Sequence, residues 1–418
     1  MVVERAESIA QHDLRVERVD LSHAAGRILA APLLADDDQP PFPRSTRDGY
    51  ACRAAEASAH IALPVAGSIH AGEAPAEQLP AGAAWEIMTG APVPEGADCV
   101  VMLEHIEKIG DAPDSSSTDR HRWASPIRLR SPRTVEPGDN VVAKGAQARR
   151  GDEQLTAGVV LGPAQIALAA ACGYANLAVF ARPQVAILTT GDELVPLDSK
   201  PGPGKIRNSN APMLAALVSR AGGEPIVLPT AADTAEALDS ALADAVRADM
   251  FLISGGVSAG KYDLVEPALA RLGAQFHFRG VKIQPGKPLV FGEILSGSMR
   301  DARLFFGLPG NPISSAATFL LFGAPVLAAL AGSREIYPRF VLAQLSRDTD
   351  RQNKPGLTRF LPAKCVFDSS VNQLPQVATV PWQGSGDLTA FAQSNCFLVI
   401  PEDSGSLAAG STVRILLH

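Results

Sequence analysis

Between residues 182 and 332, short apolar runs alternate with helix-type patterns, and this alternation constrains the fold more than any other feature of the chain. The runs lie at 185–188, 226–228, 250–253, 276–283 and 304–308, and helical patterns begin after Asn210, Asp233, Asp263 and Asn311. A strand without alternating polar residues needs cover on both faces, so the pattern predicts an α/β domain with a mostly parallel sheet between helices. Ligands of such sheets sit beyond the carboxyl ends of the strands.

Three loops follow predicted strands: Thr189-Thr190-Gly191-Asp192-Glu193-Leu194, Ser254-Gly255-Gly256-Val257-Ser258-Ala259-Gly260 and Gly307-Leu308-Pro309-Gly310-Asn311-Pro312-Ile313-Ser314. The run 250–263 reads as a buried strand feeding an anion-binding loop. Gly255, Gly256 and Gly260 let backbone N–H groups approach a ligand, and Asp263 opens a helical pattern. Asn311 suits an N-cap and Pro312 the first helical position, which gives a helix start able to receive an oxyanion. Lys282 and Lys287 follow the fourth run and could meet an anion at the same edge, although isolated lysines are usually solvated.

Each acid also has a local explanation. Asp263 begins Asp-Leu-Val-Glu and Asp233 begins Asp-Thr-Ala-Glu, so either could simply cap a helix. Glu193 could be a first-turn acid favoured by a helix dipole, and Asp48 sits in a proline-fenced turn where acids are common. The histidines show no pairing that suggests a metal site or a triad.

Elsewhere, helical periodicity through Ile9, Leu14, Val16, Val19 and Leu21 leads into a second helical segment at 24–34, which Pro32 helps to end. Pro40, Pro41 and Pro43, with the Asp48-Gly49 turn, mark a boundary. Runs at 61–66, 85–88 and 99–103 predict a mostly β module, and the Ser- and Asp-rich stretch 111–123 an exposed loop. A helix at 164–172 is expected to return to the N-terminal helices, which makes the β module an insertion. Runs at 365–367, 377–380, 397–400 and 413–417 predict a small C-terminal β-barrel or sandwich. The resulting division is 1–40 with 136–178, then 41–135, 179–332 and 333–418.

At 418 residues the chain exceeds one ordinary core. A net charge of -7 without a Lys/Arg block disfavours nucleic acid as a partner. Cys52, Cys99, Cys172, Cys365 and Cys396 lack metal-type spacing and read as free thiols of a reducing compartment. The start Met-Val-Val-Glu-Arg-Ala-Glu places acids where a signal peptide needs a basic region, and no long uncharged apolar segment is expected elsewhere. The reading is a cytoplasmic protein with no membrane partner.

Six motifs carry a family resemblance: Ser45-Thr46-Arg47-Asp48-Gly49-Tyr50-Ala51, Met88-Thr89-Gly90-Ala91-Pro92-Val93-Pro94, Thr190-Gly191-Asp192-Glu193-Leu194, Ser254-Gly255-Gly256-Val257-Ser258, Pro285-Gly286-Lys287-Pro288 and Leu308-Pro309-Gly310-Asn311-Pro312. In this order they resemble the MoeA/gephyrin E-domain family of molybdopterin molybdenumtransferases. The resemblance implies a discontinuous helical segment, an inserted β domain, a MogA-like α/β domain and a C-terminal β-barrel, in a homodimer. It also implies that adenylylated molybdopterin and molybdate are substrates, that Mg²⁺ is present, that AMP is released, and that a MogA-like adenylyltransferase is a possible partner.

Carried over by motif, the catalytic residues are Asp48, Thr89, Glu193, Asp263 and Lys287. Ser254, Gly255, Gly256, Ser258, Gly260, Asp233, Pro309, Asn311, Pro312 and Ser314 would bind the pterin nucleotide and molybdate, with Asp233 and Asp263 as metal contacts. Gln284 stands where the resemblance leads one to expect lysine, and Phe360-Leu361-Pro362 lacks the arginine of the usual Phe-x-Arg pattern. These departures make a gephyrin-like scaffold that has lost insertion the alternative.

Overall fold

The computed structural model describes residues 1–75, 77–110, 125–256, 264–295, 302–349, 356–367 and 373–418. The chain forms two compact units, Met1–Ala31 with Ala157–Ile166 and Asn176–His418, and Pro32–Thr156 with Ala167–Ala175.

The first unit is built on a six-stranded sheet. Its strands are β1 (Gln184–Thr189), β2 (Glu224–Val227), β3 (Met250–Ser254), β4 (Gln275–Arg279), β5 (Val290–Leu295) and β6 (Ala302–Leu308). The order is β2-β1-β3-β6-β5-β4; the first four are parallel, β5 is antiparallel to both its neighbours, and β4 runs in the direction of the first four. This is the mostly parallel α/β sheet that the alternation predicts, with two differences. The run 276–283 divides: β4 ends at Arg279, and Ile283–Gln284 pairs with a strand of the C-terminal sheet. The strand β5 was not expected, because the Pro-Gly-Lys-Pro turn immediately before it obscures where a new element starts.

Successive strand residues point to opposite faces, and both faces are buried. Val185, Ile187, Leu252 and Phe306 pack with Leu214, Val218, Val326 and Leu327. On the other side Leu188, Phe251, Ile253 and Phe305 pack with Leu238, Leu242 and Leu269. The helices α1 (Asn210–Arg220), α2 (Ala235–Ala245) and α3 (Val265–Arg271) supply these partners, except Val326 and Leu327, which come from the helix Ala324–Leu330. Phe251 and Phe305 stack at 5.4 Å, and burying each such ring contributes roughly 2–3 kcal/mol.

After β6 a helix at Pro312–Thr318 continues through a π-turn at Phe319–Gly323 into Ala324–Leu330. The whole uncharged stretch Pro312–Leu330 is long and apolar enough to span a bilayer, contrary to the expectation of no such segment, and it is 67% buried. It is a core helix, with Phe319, Val326 and Leu327 at zero exposure. Pro325, which has no N–H to give the preceding turn, accompanies the widened turn.

The strands β7 (Phe340–Leu345), β8 (Thr358–Val366), β9 (Gln376–Thr379), β10 (Cys396–Ile400) and β11 (Thr412–Leu417) close into a five-stranded barrel, because β8 pairs with both β9 and β10. Its core is Ala343, Leu361, Ala363, Val377, Leu398 and Ile415.

The N-terminal segment differs from its reading. Val2–Asp13 is helical, but Val16–Asp20 is a strand paired antiparallel with Asn176–Phe180. Residues 24–34 are extended rather than helical: Gly26 N and Leu29 N donate to Leu161 O and Val159 O, and Gly26 takes φ +72. The return of the chain is thus made by a strand.

The second unit contains a four-stranded sheet in the order Val65–Ile69, Ala84–Ile87, Gly49–Cys52, Cys99–Met102. The expected strand at 61–66 begins later, at Val65. Tyr50, Cys52, Ala84, Cys99 and Val101 fill one face, and Ala51, Ile69, Ile87 and Val100 the other. Residues 111–123 lie outside the described residues.

Candidate functional site

In the first unit Thr189, Ser254 and Leu308 stand side by side, since Thr189 pairs with Ser254 and Ser254 with Leu308. The loops after β1, β3 and β6 therefore leave the sheet at one edge. The ladder runs one step beyond the strands, with Thr190 N donating to Ser254 O at 3.1 Å and Gly255 N to Leu308 O at 3.3 Å. Val290 pairs with Gly307, so the turn at 280–289 that carries Lys287 reaches the same edge.

Glycine is required at two points of this edge. Gly255 has φ +102, and a Cβ there would lie 2.4 Å from Thr190 O. Gly286 has φ +119, and its Cβ would lie 2.6 Å from Thr318 Cγ2, so the turn before Lys287 presses directly on the core helix. Gly256 and the exposed Lys287 lie in these same turns. Ser258, Gly260 and Asp263 lie outside the described residues.

Two acids meet at the β1–β2 corner. Pairing of Thr190 with Ala231 extends the parallel ladder and sets Asp233 opposite Asp192. Thr190 Oγ1 donates to Asp233 Oδ1 at 2.5 Å, Asp192 N donates to Asp233 Oδ2 at 3.4 Å, and Asp233 N donates to Asp192 Oδ1 at 3.2 Å. Asp233 does not cap the following helix: Thr234 does, its Oγ1 accepting from Ala237 N at 3.3 Å. Glu193 is not a first-turn acid either, because Leu194–Val195, a strand, follows it. Its carboxylate folds over Gly191, where a Cβ would approach Oε2 to 2.6 Å.

Two asparagines lock the loops together. Asn210 Nδ2 donates to Ser254 Oγ at 2.9 Å and to Gly310 O at 2.7 Å. Asn208 Nδ2 donates to Thr189 Oγ1 at 2.8 Å and Thr230 Oγ1 at 3.1 Å. The Ser254 hydroxyl, 2% exposed, is thereby engaged inside the protein. Ser314 is also buried, and Pro309 O accepts from Ser315 Oγ. Asn311 and Pro312 take the expected N-cap and first helical positions, but the Asn311 side chain makes no capping bond. Ile313 N instead donates to Ser385 O at 3.0 Å.

In the second unit Asp48 Oδ1 accepts from Thr89 N at 2.7 Å and from Thr89 Oγ1 at 2.8 Å. These two donors hold the exposed Asp48 carboxyl below its usual range. The pairing arises locally, because Gly90 N donates to Ser45 O at 2.8 Å and Ser45 N to Ala91 O at 3.0 Å, which zips the two motifs together. Gly49 follows Asp48 because a Cβ there would strike Val101 O at 2.1 Å.

Sequence reasoning passed over Asp192, although it lies inside the Thr-Gly-Asp-Glu-Leu motif. It also passed over Ser385, whose signal was the Gly-Ser-Gly-Asp run in a region read only as barrel. No cluster of three metal-type side chains occurs among the described residues, so a metal here would rely on the Asp192–Asp233 pair and on substrate oxygens.

Comparison with known proteins adds the following. The model described as the MoeA N-terminal region (domain I and II) matches residues 1–173, that of a probable molybdopterin binding domain residues 186–329, and that of the MoeA C-terminal region (domain IV) residues 344–418. A molybdopterin molybdenumtransferase of Nostoc sp. is 35% identical over 406 residues, covering 96% of this chain and 88% of that protein. One from Haemophilus influenzae is 31% identical over 404 residues, covering 96% and 93%. The crystal structure of a molybdopterin biosynthesis moeA protein from Pyrococcus horikoshii OT3 superposes with a TM-score of 0.74 at 30% identity, covering 100% of this chain and 99% of that one.

Proposed function

The chain belongs to the MoeA family of molybdopterin molybdenumtransferases, and from that premise we propose that adenylylated molybdopterin and molybdate react at the carboxyl edge of its parallel sheet, with release of AMP. It is a transferase of molybdenum cofactor biosynthesis, an insertase that acts on molybdopterin. The observation that carries the placement is the convergence of the β1, β3 and β6 loops, in register, beside the Asp192–Asp233 pair.

The chemistry of that edge suits cleavage of a phosphoanhydride. Asp233 and, by motif, Asp263 would hold Mg²⁺; magnesium takes one or two carboxylates and completes its shell with phosphate and water oxygens, a demand that the adjacent Asp192 and Asp233 carboxylates already fit. When bound, the ion would supply neutralisation of charge on the phosphoanhydride oxygens. Thr190 keeps the Asp233 carboxylate aimed along the edge. Lys287, Glu193 and the N–H groups of the Gly255-Gly256 turn act on the transferring groups, and Asn311, Pro312 and Ser314 flank the oxyanion position. Asp48, held ionised by Thr89, is a further catalytic carboxylate. The working form is a cytoplasmic homodimer supplied with adenylylated substrate by a MogA-like enzyme, and its four parts follow the division 1–40 with 136–178, 41–135, 179–332 and 333–418.

A scaffold that has lost insertion is not favoured, since relatives matched along nearly the whole chain carry the transferase name. The test is incubation of purified protein with adenylylated molybdopterin, molybdate and Mg²⁺, expected to release AMP and yield cofactor. Asp233→Asn and Glu193→Gln should lower turnover while leaving the unfolding temperature near wild type. Absence of both AMP and cofactor, under conditions where a relative forms them, defeats the proposal.

A further inference from the structure

The segment Asn208-Ser209-Asn210 crosses the carboxyl edge of the sheet, between the short strand Ile206–Arg207 and helix α1. Its two asparagines divide the edge between them. Asn208 holds the ends of β1 and β2 through Thr189 and Thr230, and Asn210 holds those of β3 and β6 through Ser254 and Gly310. One three-residue segment therefore ties all four parallel strands together. Helix α1 does not need Asn210 for its start, because Asn208 Oδ1 accepts from Ala211 N at 3.2 Å.

The Asn210 amide has only one possible orientation. Gly310 O accepts and cannot donate, so the group facing it at 2.7 Å is the NH₂, and Oδ1 is left buried without a donor among the described residues. An unpaired buried acceptor is destabilising, so the value of this amide lies in the two bonds of its NH₂. Behind it the hydroxyl protons are committed as well. Ser315 Oγ donates to Pro309 O, so Ser254 Oγ donates across 3.4 Å to Ser315 Oγ. Asn210, Ser254 and Ser315 thus close a ring of bonds around the Pro309-Gly310 corner and fix both of its carbonyls.

Resting on the reading that insertion takes place at this edge, we propose that Asn210 is a positioning residue for that reaction: its amide sets the spacing between the Gly255-Gly256 turn and the corner at 309–312 without touching substrate. The two loops lie close, since a Cβ added to Gly310 would meet Gly255 Cα at 3.7 Å. The backbone bond between them, from Gly255 N to Leu308 O, is 3.3 Å and therefore weak, so the side-chain brace decides where the corner sits. The NH₂ of Asn210 is engaged with Ser254 and Gly310, which leaves it nothing to offer a ligand. Its effect on the reaction passes through the corner that carries Asn311 and Pro312, where a shift of about 1 Å costs roughly a hundredfold in rate.

The test is steady-state insertion by Asn210→Asp, which keeps the shape of the side chain but turns an acceptor toward Gly310 O, with rates counted per folded molecule. Its kcat should fall about a hundredfold while KM for adenylylated molybdopterin stays within about threefold of wild type, the split expected when only the reacting geometry is lost. Should the new charge unfold the protein, Asn210→Ala removes the same two bonds without a charge and should give the same split. Ser254→Ala leaves the Gly310 bond in place, so it should cost kcat no more than about tenfold and add nothing to Asn210→Ala. A rise in KM with kcat unchanged means that Asn210 binds substrate directly and overturns the assignment, as does a folded Asn210→Asp with the kcat of wild type. The two readings fail differently. Wild-type protein that forms no cofactor refutes the reaction itself, whereas active wild-type protein with an unimpaired Asn210→Asp refutes only the brace.

Discussion

Replacing Gly255 by alanine tests the geometry of the sheet edge most directly. At φ +102 a side-chain-bearing residue carries strain of about 1–3 kcal/mol. The new Cβ would also sit 2.4 Å from Thr190 O, a backbone atom that cannot rotate away. Relief requires the β1 and β3 ends to separate, which weakens the bonds from Thr190 N to Ser254 O and from Gly255 N to Leu308 O, each worth about 0.5–1.5 kcal/mol. Together these place the loss near 3 kcal/mol, or roughly 6–12 °C for a domain of this size. Scanning calorimetry of the full chain measures it, and Gly310→Ala is the control. Gly310 needs no positive φ, and its nearest neighbour is Gly255 Cα at 3.7 Å, so alanine there should change stability by no more than about 1 kcal/mol. Because Thr190 holds Asp233, Gly255→Ala should also lower insertion per folded molecule by about a hundredfold, the usual consequence of an ångström's misplacement. If the two alanine variants unfold within about 1 °C of each other, the close approach of these loops is wrong.

Thr190→Val keeps the buried shape but removes the hydroxyl that donates to Asp233; turnover should fall about 10- to 100-fold while the unfolding temperature barely moves, and a large loss of stability instead would make the contact structural. Thr89→Val removes one of the two donors on Asp48, so the Asp48 carboxyl should titrate closer to its ordinary 3.8, as read by carboxyl-carbon NMR. Since the folded carboxyl is depressed, its stabilising effect is present above about pH 4 and lost as pH falls further; a change in stability confined to neutral pH contradicts the assignment. His418, packed at a tilt against Phe391 and Phe397, is pushed down to about 4 by burial and by Arg220, from an ordinary 6.5. The unfolded chain takes up that proton first, so wild-type stability should be full above pH 6.5 and fall by up to about 3 kcal/mol toward pH 4. Denaturant midpoints of His418→Gln should show a flatter pH dependence across that window. The hydrogen bond with Cys52, together with burial, holds the Cys99 thiol well above its usual range, burial does the same for Cys396, and iodoacetamide should label neither Cys99 nor Cys396 before unfolding.

The parallel sheet was legible because its signal is local: every residue of β1 and β3 from Val185 to Thr189 and from Met250 to Ser254 is buried, and unbroken apolar runs announce that. Elements defined by distant partners were not. Val16–Asp20 looks helical by periodicity, and only its pairing with Asn176–Phe180 makes it a strand. Residues 276–283 read as one strand, although Gly280, at φ +98, ends β4 and sends Ile283–Gln284 to the barrel. The uncharged core helix at Pro312–Leu330 escaped notice because Pro, Gly and Ser break its apolar count without breaking its burial.

The site motifs were legible as text, and their geometry turns on single-residue offsets that text does not fix. Asp-Thr-Ala-Glu satisfies a capping pattern with Asp233 first, yet the helix takes Thr234 as its cap, and that shift of one residue decides the role of the acid. The ladder supplies the physical reason. Thr190 pairs with Ala231 beyond the end of β2, so the chain is still held to β1 two residues before Asp233. Helix α2 then starts only at Ala235, leaving Asp233 in the gap, where Thr190 Oγ1 and Asp192 N reach its carboxylate. The same extension brings Asp192, which the motif offered only as a spacer, against Asp233. A parallel pairing one residue longer than the strand is thus what converts one capping-type acid and one spacer acid into a paired corner. Replacing Ala231 by proline leaves the acids in the sequence but removes the N–H that donates to Thr189 O, and it should abolish AMP binding together with insertion.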